Sequence, residues 1–460
     1  MKLGASLAFI LVLIVWAKAT LAHVSERALV LILPTDIYIA FGVAAVAVTI
    51  FLTVLIPPSV FGLLAGDQAT APKEVSQTKQ QTLASLLSLF VFFGLICIGI
   101  LGPRDPLQNL LPLTLFTVWW IFFPIFQAVL GDLWRWINPW DGAVQLVFKG
   151  NYLRQLPVQL GVLPAIIMYC MAAVYTLTDL APDDPYRLAI VAAGYWLVTF
   201  MMCGVFGKNW LHRGEGFTVF FDLLAQLSRE RSAPFGLRFP GQSIIAQPPH
   251  GVSVALFAVI LLALGSFDGL NETFWWMSQL GINPLEFPGR SAIAWQNRFG
   301  MFGAILLLSV GFAACVWVGL ALIGRTALFK NMFCHLSLSL LPIALGYHLA
   351  HFLTTAMVNL QYFFAALNDP FENDAALLGW DSFYITTSFF NQHHTVKAIW
   401  LTQAGIIVLA HMIAVILAHM IALKTFKNHR LAVVSQLPVA VFMLLYTVFG
   451  LWLLASPVAL

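Results

Sequence analysis

Apolar residues in this chain fall into blocks of about twenty, separated by short polar stretches. That is the length a helix needs, at about 1.5 Å of rise per residue, to cross a hydrocarbon layer about 30 Å thick. The blocks lie near Ile37–Ile56, Leu83–Leu101, Leu110–Leu130, Gly161–Leu180, Leu188–Phe206, Val252–Gly265, Met301–Ile323, Met332–Thr355, Ala398–Leu423 and Leu437–Leu454. They predict an all-α protein, a polytopic transmembrane helical bundle of ten spans, with the sixth span short. Ahead of them, Lys2, the apolar run Leu7 to Trp16 and the small residues before Ala22 read as a signal peptide over residues 1–22. Residues 23–460 then form one transmembrane domain.

Composition narrows the class. At 60% hydrophobic and 9% charged, the chain is not an ordinary soluble protein, in which about 25% of residues are charged. A net charge of +3 spread over loops argues against nucleic acid as a partner and leaves the lipid bilayer as the main surroundings. The five cysteines all fall in predicted spans with no CxxC pair, so they read as small buried hydrophobes. Of the 23 Lys and Arg residues, two lie in the leader. Fifteen lie in one alternate set of loops and six, Arg27, Arg104, Arg187, Arg290, Arg298 and Lys397, in the other. The positive-inside bias therefore places both mature termini outside, in the periplasm, and implies a bacterial inner membrane.

Histidine is the unusual residue. Seven of eleven lie in the 92 residues from Met332 to Leu423. Imidazoles at bilayer depth are costly unless partnered, so their clustering marks a functional site. Helix rise puts His335 and His419 near the inner face, His348 and His351 in the outer third, and His411 near the middle. His348 and His351 share a face, as do His411 and His419, whereas His335 and His351 point about 160° apart unless Pro342 and Gly346 bend the helix. A transition-metal centre (copper, zinc or iron), a pair of bis-imidazole haems, a proton or ion path, and helix–helix hydrogen bonding all use such residues. The metal reading takes His335, His351, His411 and His419 as ligands. A cut after Ala22 adds His23, whose amine and imidazole form a bidentate set for copper. Asp268, at the outer end of the sixth span, is a candidate general base or ligand, and Asp36 reads as a helix cap.

Two further stretches stand out. Trp134 to Trp140 mixes indoles with one cation and reads as an interfacial anchor. Residues 216–231 place Phe217, Phe220, Phe221, Leu224 and Leu227 on one face, as in an amphipathic helix lying in the inner interface. The preceding Gly214-Glu215-Gly216 matches no nucleotide-binding fingerprint and reads as a helix-start turn. No internal repeat marks an inverted-repeat carrier.

The segments Gly207-Lys208-Asn209-Trp210-Leu211-His212-Arg213-Gly214-Glu215-Gly216-Phe217 and Ser266-Phe267-Asp268-Gly269 resemble a family of bacterial polytopic membrane proteins named fenitrothion hydrolases. So do His335 through Tyr347, Ala350-His351, Ala410-His411, Ala418-His419, and Gln436-Leu437-Pro438 through Trp452. The likeness covers most of residues 23–460. It implies metal-assisted hydrolysis of an organophosphate triester, with His335, His351, His411 and His419 matching the family pattern and His348, His393 and His394 particular to this chain. Binding or transport of a metal ion, or electron transfer by haem, is the alternative use of the same residues.

Overall fold

The computed structural model describes residues 33–65, 78–228, 239–286, 289–374, 376–380 and 384–458. The leader and His23 therefore lie outside the described residues. Helices dominate because a chain immersed in lipid must satisfy its backbone N–H and C=O groups internally. The main ones are α1 (Thr35–Leu55), α2 (Lys79–Leu101), α3 (Leu110–Leu130), α4 (Leu163–Thr178), α5 (Pro185–Phe206), α6 (Gly216–Ala225), α7 (Val252–Asn271), α8 (Arg290–Leu322), α9 (Phe329–Leu336), α10 (Leu341–Asn368), α11 (His393–Phe426) and α12 (His429–Ala455). Local signals start several of them. Thr78 and Gln81 form a reciprocal capping box at α2, and Asp184 caps α5 just before Pro185.

This is an all-α, multi-pass membrane protein. Among the described residues, nine helical stretches are long and apolar enough to cross a membrane. The expected fourth span corresponds to α4, which has only 16 residues. The sixth span, expected to be short, is the 20-residue α7 and one of the most enclosed helices, with 67% of its apolar window buried against 17% in α1. The bundle is organised around α7, α10 and α11. Helix α10 packs on α11, α11 on α12 and α1, and α7 on α8 and α10. Gly346 lets α10 and α11 meet closely: a Cβ there would lie 2.4 Å from the Ala410 Cβ.

Three departures from regular geometry bear on the site. Span eight breaks, with a 3-10 turn (Ser337–Leu340) between α9 and Pro342. Part of α3, Leu113–Phe122, is wound as a π-helix ahead of Pro124. Helix α6 corrects the surface reading of residues 216–231. Phe220, Phe221, Val219, Leu223 and Leu224 are all buried, so the helix inserts into the bundle. Even its polar Thr218 is enclosed, accepting from Trp134 Nε1 at 3.0 Å and Asn138 Nδ2 at 3.2 Å. The indoles from Trp134 to Trp140 are likewise not simply an interfacial anchor. Trp134 and Trp140 are buried, and Trp140 Nε1 donates to the Trp196 carbonyl.

The turn at Gly214-Glu215-Gly216 does start a helix. Glu215, fully buried, caps α6: its carboxylate accepts from the N–H groups of Phe217 (2.9 Å) and Thr218 (2.6 Å), the Thr218 hydroxyl and the Tyr195 hydroxyl.

Candidate functional site

Helix α7 ends with Asp268 and Glu272, four residues apart and so on one face. Like charges at this spacing repel by about 0.2–0.5 kcal/mol, and the negative end of the helix dipole disfavours each carboxylate by about 0.3–1 kcal/mol. The pair therefore does not serve to stabilise the end of the helix. Facing it across the helix interface is His351 of α10, whose Nε2 lies 3.3 Å from Asp268 Oδ2. Ligand atoms of Asp268, Glu272 and His351 all lie within 4.8 Å of one another, and the three residues are half-buried. Among the described residues this is the one group of three or more His, Cys, Asp or Glu side chains so arranged.

Small residues make the approach possible. Gly269 sits under the Tyr347 ring: a Cβ there would come 1.9 Å from the Tyr347 hydroxyl and 3.6 Å from His351 Nδ1. Tyr347 and His351, one turn apart on α10, stack at 5.9 Å with their planes 11° apart. Gly269 thus lets the helices approach, and the imidazole is flanked by Tyr347 and by Phe352, whose ring lies edge-on at 4.6 Å.

The cluster sits at one end of a cavity of about 850 Å³. Its walls are mainly apolar and aromatic, including Trp119, Trp120, Tyr169, Phe217, Phe220 and Leu261. Arg290 also lines the cavity, with its guanidinium donating to the carbonyls of Asp179 (3.2 Å) and Thr176 (3.4 Å). Cation, imidazole and carboxylates therefore share one end, while the rest is fit for hydrocarbon or aromatic groups.

The structure does not gather the other expected ligands with His351. His335 donates from Nε2 to the Ile244 carbonyl at 2.7 Å, and Lys424 donates to the carbonyls of Ile245 and Ala246. Together they cap the C-terminal end of the short helix Gln242–Ala246, whose last carbonyls have no intrahelical donor. His411 is buried and donates from Nδ1 back to the Ile407 carbonyl, 2.8 Å away and one turn earlier. His419 is buried with its ring edge-on to Phe61 (4.9 Å) and near His429 (5.7 Å). The expectation that His335, His411 and His419 join His351 around one ion is corrected accordingly. Depth explains the outcome: sixteen residues, about 24 Å of helix rise, separate His335 from His351, and the 3-10 turn at Ser337–Leu340 between them does not remove that separation.

His348 lines the same cavity, and its Nε2 is 2.8 Å from the Trp120 carbonyl. The imidazole thus ties α10 to the π-wound part of α3. No protein-family model, curated protein or solved structure matches this chain. Geometry therefore carries the functional reading. Glu272, Tyr347, Gly269 and Arg290 were missed as site residues. The Asp268-to-Glu272 spacing at a helix end was the available signal for one of them; the other three depend on which helices meet.

Proposed function

We propose that this protein is a membrane-embedded, metal-dependent hydrolase whose ion is held by Asp268, Glu272 and His351. The observation that supports it is the placement of two carboxylates and an imidazole, within 4.8 Å of one another, at the end of a largely apolar cavity. Two oxygens and one imidazole nitrogen suit zinc, iron or manganese. Three protein ligands leave coordination positions open, the arrangement of catalytic sites. An ion bound there supplies Lewis-acid polarisation of a phosphoryl or carbonyl oxygen. The residues of the chain do the rest. Tyr347 and Phe352 flank the imidazole, Arg290 offers a cation to a negative group, and the aromatic walls bind the apolar part of the substrate and exclude water.

An organophosphate triester, suggested by the family resemblance, is the substrate to try first, because it joins a phosphoryl centre to apolar groups. Ion transport fits less well, since a path for a hydrated ion needs polar walls beyond the cluster. We read the Asp268 end as periplasmic, from the loop charges, and the membrane as the bacterial inner membrane.

The test is metal content by mass spectrometry of protein purified without chelators, followed by turnover of a dialkyl p-nitrophenyl phosphate. About one ion per chain is expected in the wild type, lost in Asp268→Asn, Glu272→Gln and His351→Ala and kept in His411→Ala. Equal metal in all of these removes the site assignment. A metal-loaded protein that leaves the triester intact withdraws that substrate.

A further inference from the structure

The cavity has a side. Helices α4 and α5 follow one another in the chain and are tied at their outer ends, where Arg187 pairs with Asp179 at 2.6 Å. Yet among the described residues the two helices do not pack along their length. The lips of the gap between them belong to the cavity wall: Met171 on α4, and Val191, Gly194 and Val198 on α5. Met171, Val191 and Val198 are 63%, 41% and 47% exposed, and in a membrane protein what they are exposed to is lipid. The cavity therefore opens sideways into the hydrocarbon layer.

Its shape runs along the bundle. On α7 it is lined from Leu261 to Glu272, eleven residues or about 16 Å, roughly half the thickness of the hydrocarbon core. The polar cluster closes one end, and Trp134, Pro139 and Trp140 lie at the other. A water-borne ligand has no reason to arrive through a lipid-facing slot, and a wholly apolar one has no use for Arg290, Asp268, Glu272 and His351.

We infer that the cavity takes a membrane amphiphile with one apolar chain and a phosphoryl head, which slides in from the bilayer between α4 and α5. The chain lies against Trp119, Trp120 and Phe220 and ends near Trp140. The head lies at the α7 cluster beside Arg290. The choice of a phosphoryl head rests on the metal reading above, because without an ion the two carboxylates would favour a cationic head instead. The lateral chamber itself does not depend on that reading.

The experiment measures binding of hexadecyl phosphate to the full-length protein in detergent micelles by equilibrium dialysis, with octyl to hexadecyl phosphates as a length series. The variant is Gly194→Phe. A Cβ at Gly194 meets no atom within 4 Å, so the added side chain starts in open space at the slot. Saturable binding by wild type, weakened about tenfold or more in Gly194→Phe while metal content is unchanged, supports the chamber. Affinity that rises with chain length and then levels off supports the blind end without relying on any variant. No saturable binding by wild type, or equal binding by Gly194→Phe with no dependence on chain length, overturns the proposal. Tighter binding of hexadecyltrimethylammonium than of hexadecyl phosphate overturns the head-group assignment. Asp268→Asn that loses metal but still binds the chain in a slot-dependent way supports the chamber. A chamber that binds while wild type holds no metal tells against the metal reading alone.

Discussion

Gly269→Ala tests the local geometry most directly. The added Cβ would stand 1.9 Å from the Tyr347 hydroxyl, so the ring must retreat by about 1.5 Å to reach an ordinary contact of 3.4 Å. Overpacking of this kind costs about 1–3 kcal/mol in a close-packed interior. It is opposed by the roughly 1 kcal/mol that Ala gains over Gly inside a helix. The decisive comparison is with Tyr347→Phe. Without the hydroxyl the nearest Tyr347 atom is the ring Cζ at 3.2 Å, which needs a shift of only a few tenths of an ångström. Gly269→Ala should therefore be destabilising in the wild type and close to neutral in the Tyr347→Phe background. The coupling energy of this double-mutant cycle should be about 1–3 kcal/mol. Chemical unfolding in detergent, followed by intrinsic fluorescence, measures it. Metal content provides the second readout, since displacing Tyr347 also moves its stacking partner His351. If the penalty of Gly269→Ala is the same with and without the hydroxyl, the close approach of α7 and α10 at this point is wrong.

Two further outcomes follow from polar groups outside the Asp268–Glu272–His351 cluster. The Glu215 carboxylate accepts four hydrogen bonds in a buried position, and Gln keeps only one oxygen while presenting two N–H groups to donors. Glu215→Gln should cost about 2–3 kcal/mol and Glu215→Ala more, by the same unfolding assay; wild-type stability in the Gln variant would contradict the capping role. His212 Nδ1 lies 3.5 Å from Asp222 Oδ2, and the hydrogen bond and charge of that carboxylate raise the imidazole pKa. A raised folded-state value means the pair stabilises fully below the unfolded value of about 6.5 and fades as pH rises through the folded value. Because the pair is largely exposed, the change should stay under about 1 kcal/mol. It should vanish in Asp222→Asn, and an NMR titration of His212 that is unchanged in that variant would refute the pairing.

The all-α multi-span architecture was legible in the sequence, because apolar blocks of membrane-spanning length allow only helices once backbone groups must pair internally. The turn before α6 was legible as well, since Gly214-Glu215-Gly216 places an acceptor at a helix start. Asp268 could be singled out from its position at the end of a span, and relative depth along each helix followed from rise per residue. The partnerships of the histidines could not be read. His335 serves a short helix whose Ile244 carbonyl lies 91 residues away in sequence, and His348 bonds the Trp120 carbonyl of α3, 228 residues away. The burial of α6 was equally out of reach, because an apolar face looks the same whether it meets lipid or other helices. Sequence determines periodicity, caps and depth, which are properties of one helix at a time. Which faces meet, and therefore that Asp268, Glu272 and His351 converge at the end of a cavity open toward lipid, is set by contacts between helices distant in sequence. Those contacts depend on small residues such as Gly269 and Gly346, whose effect exists only once a partner helix is in place.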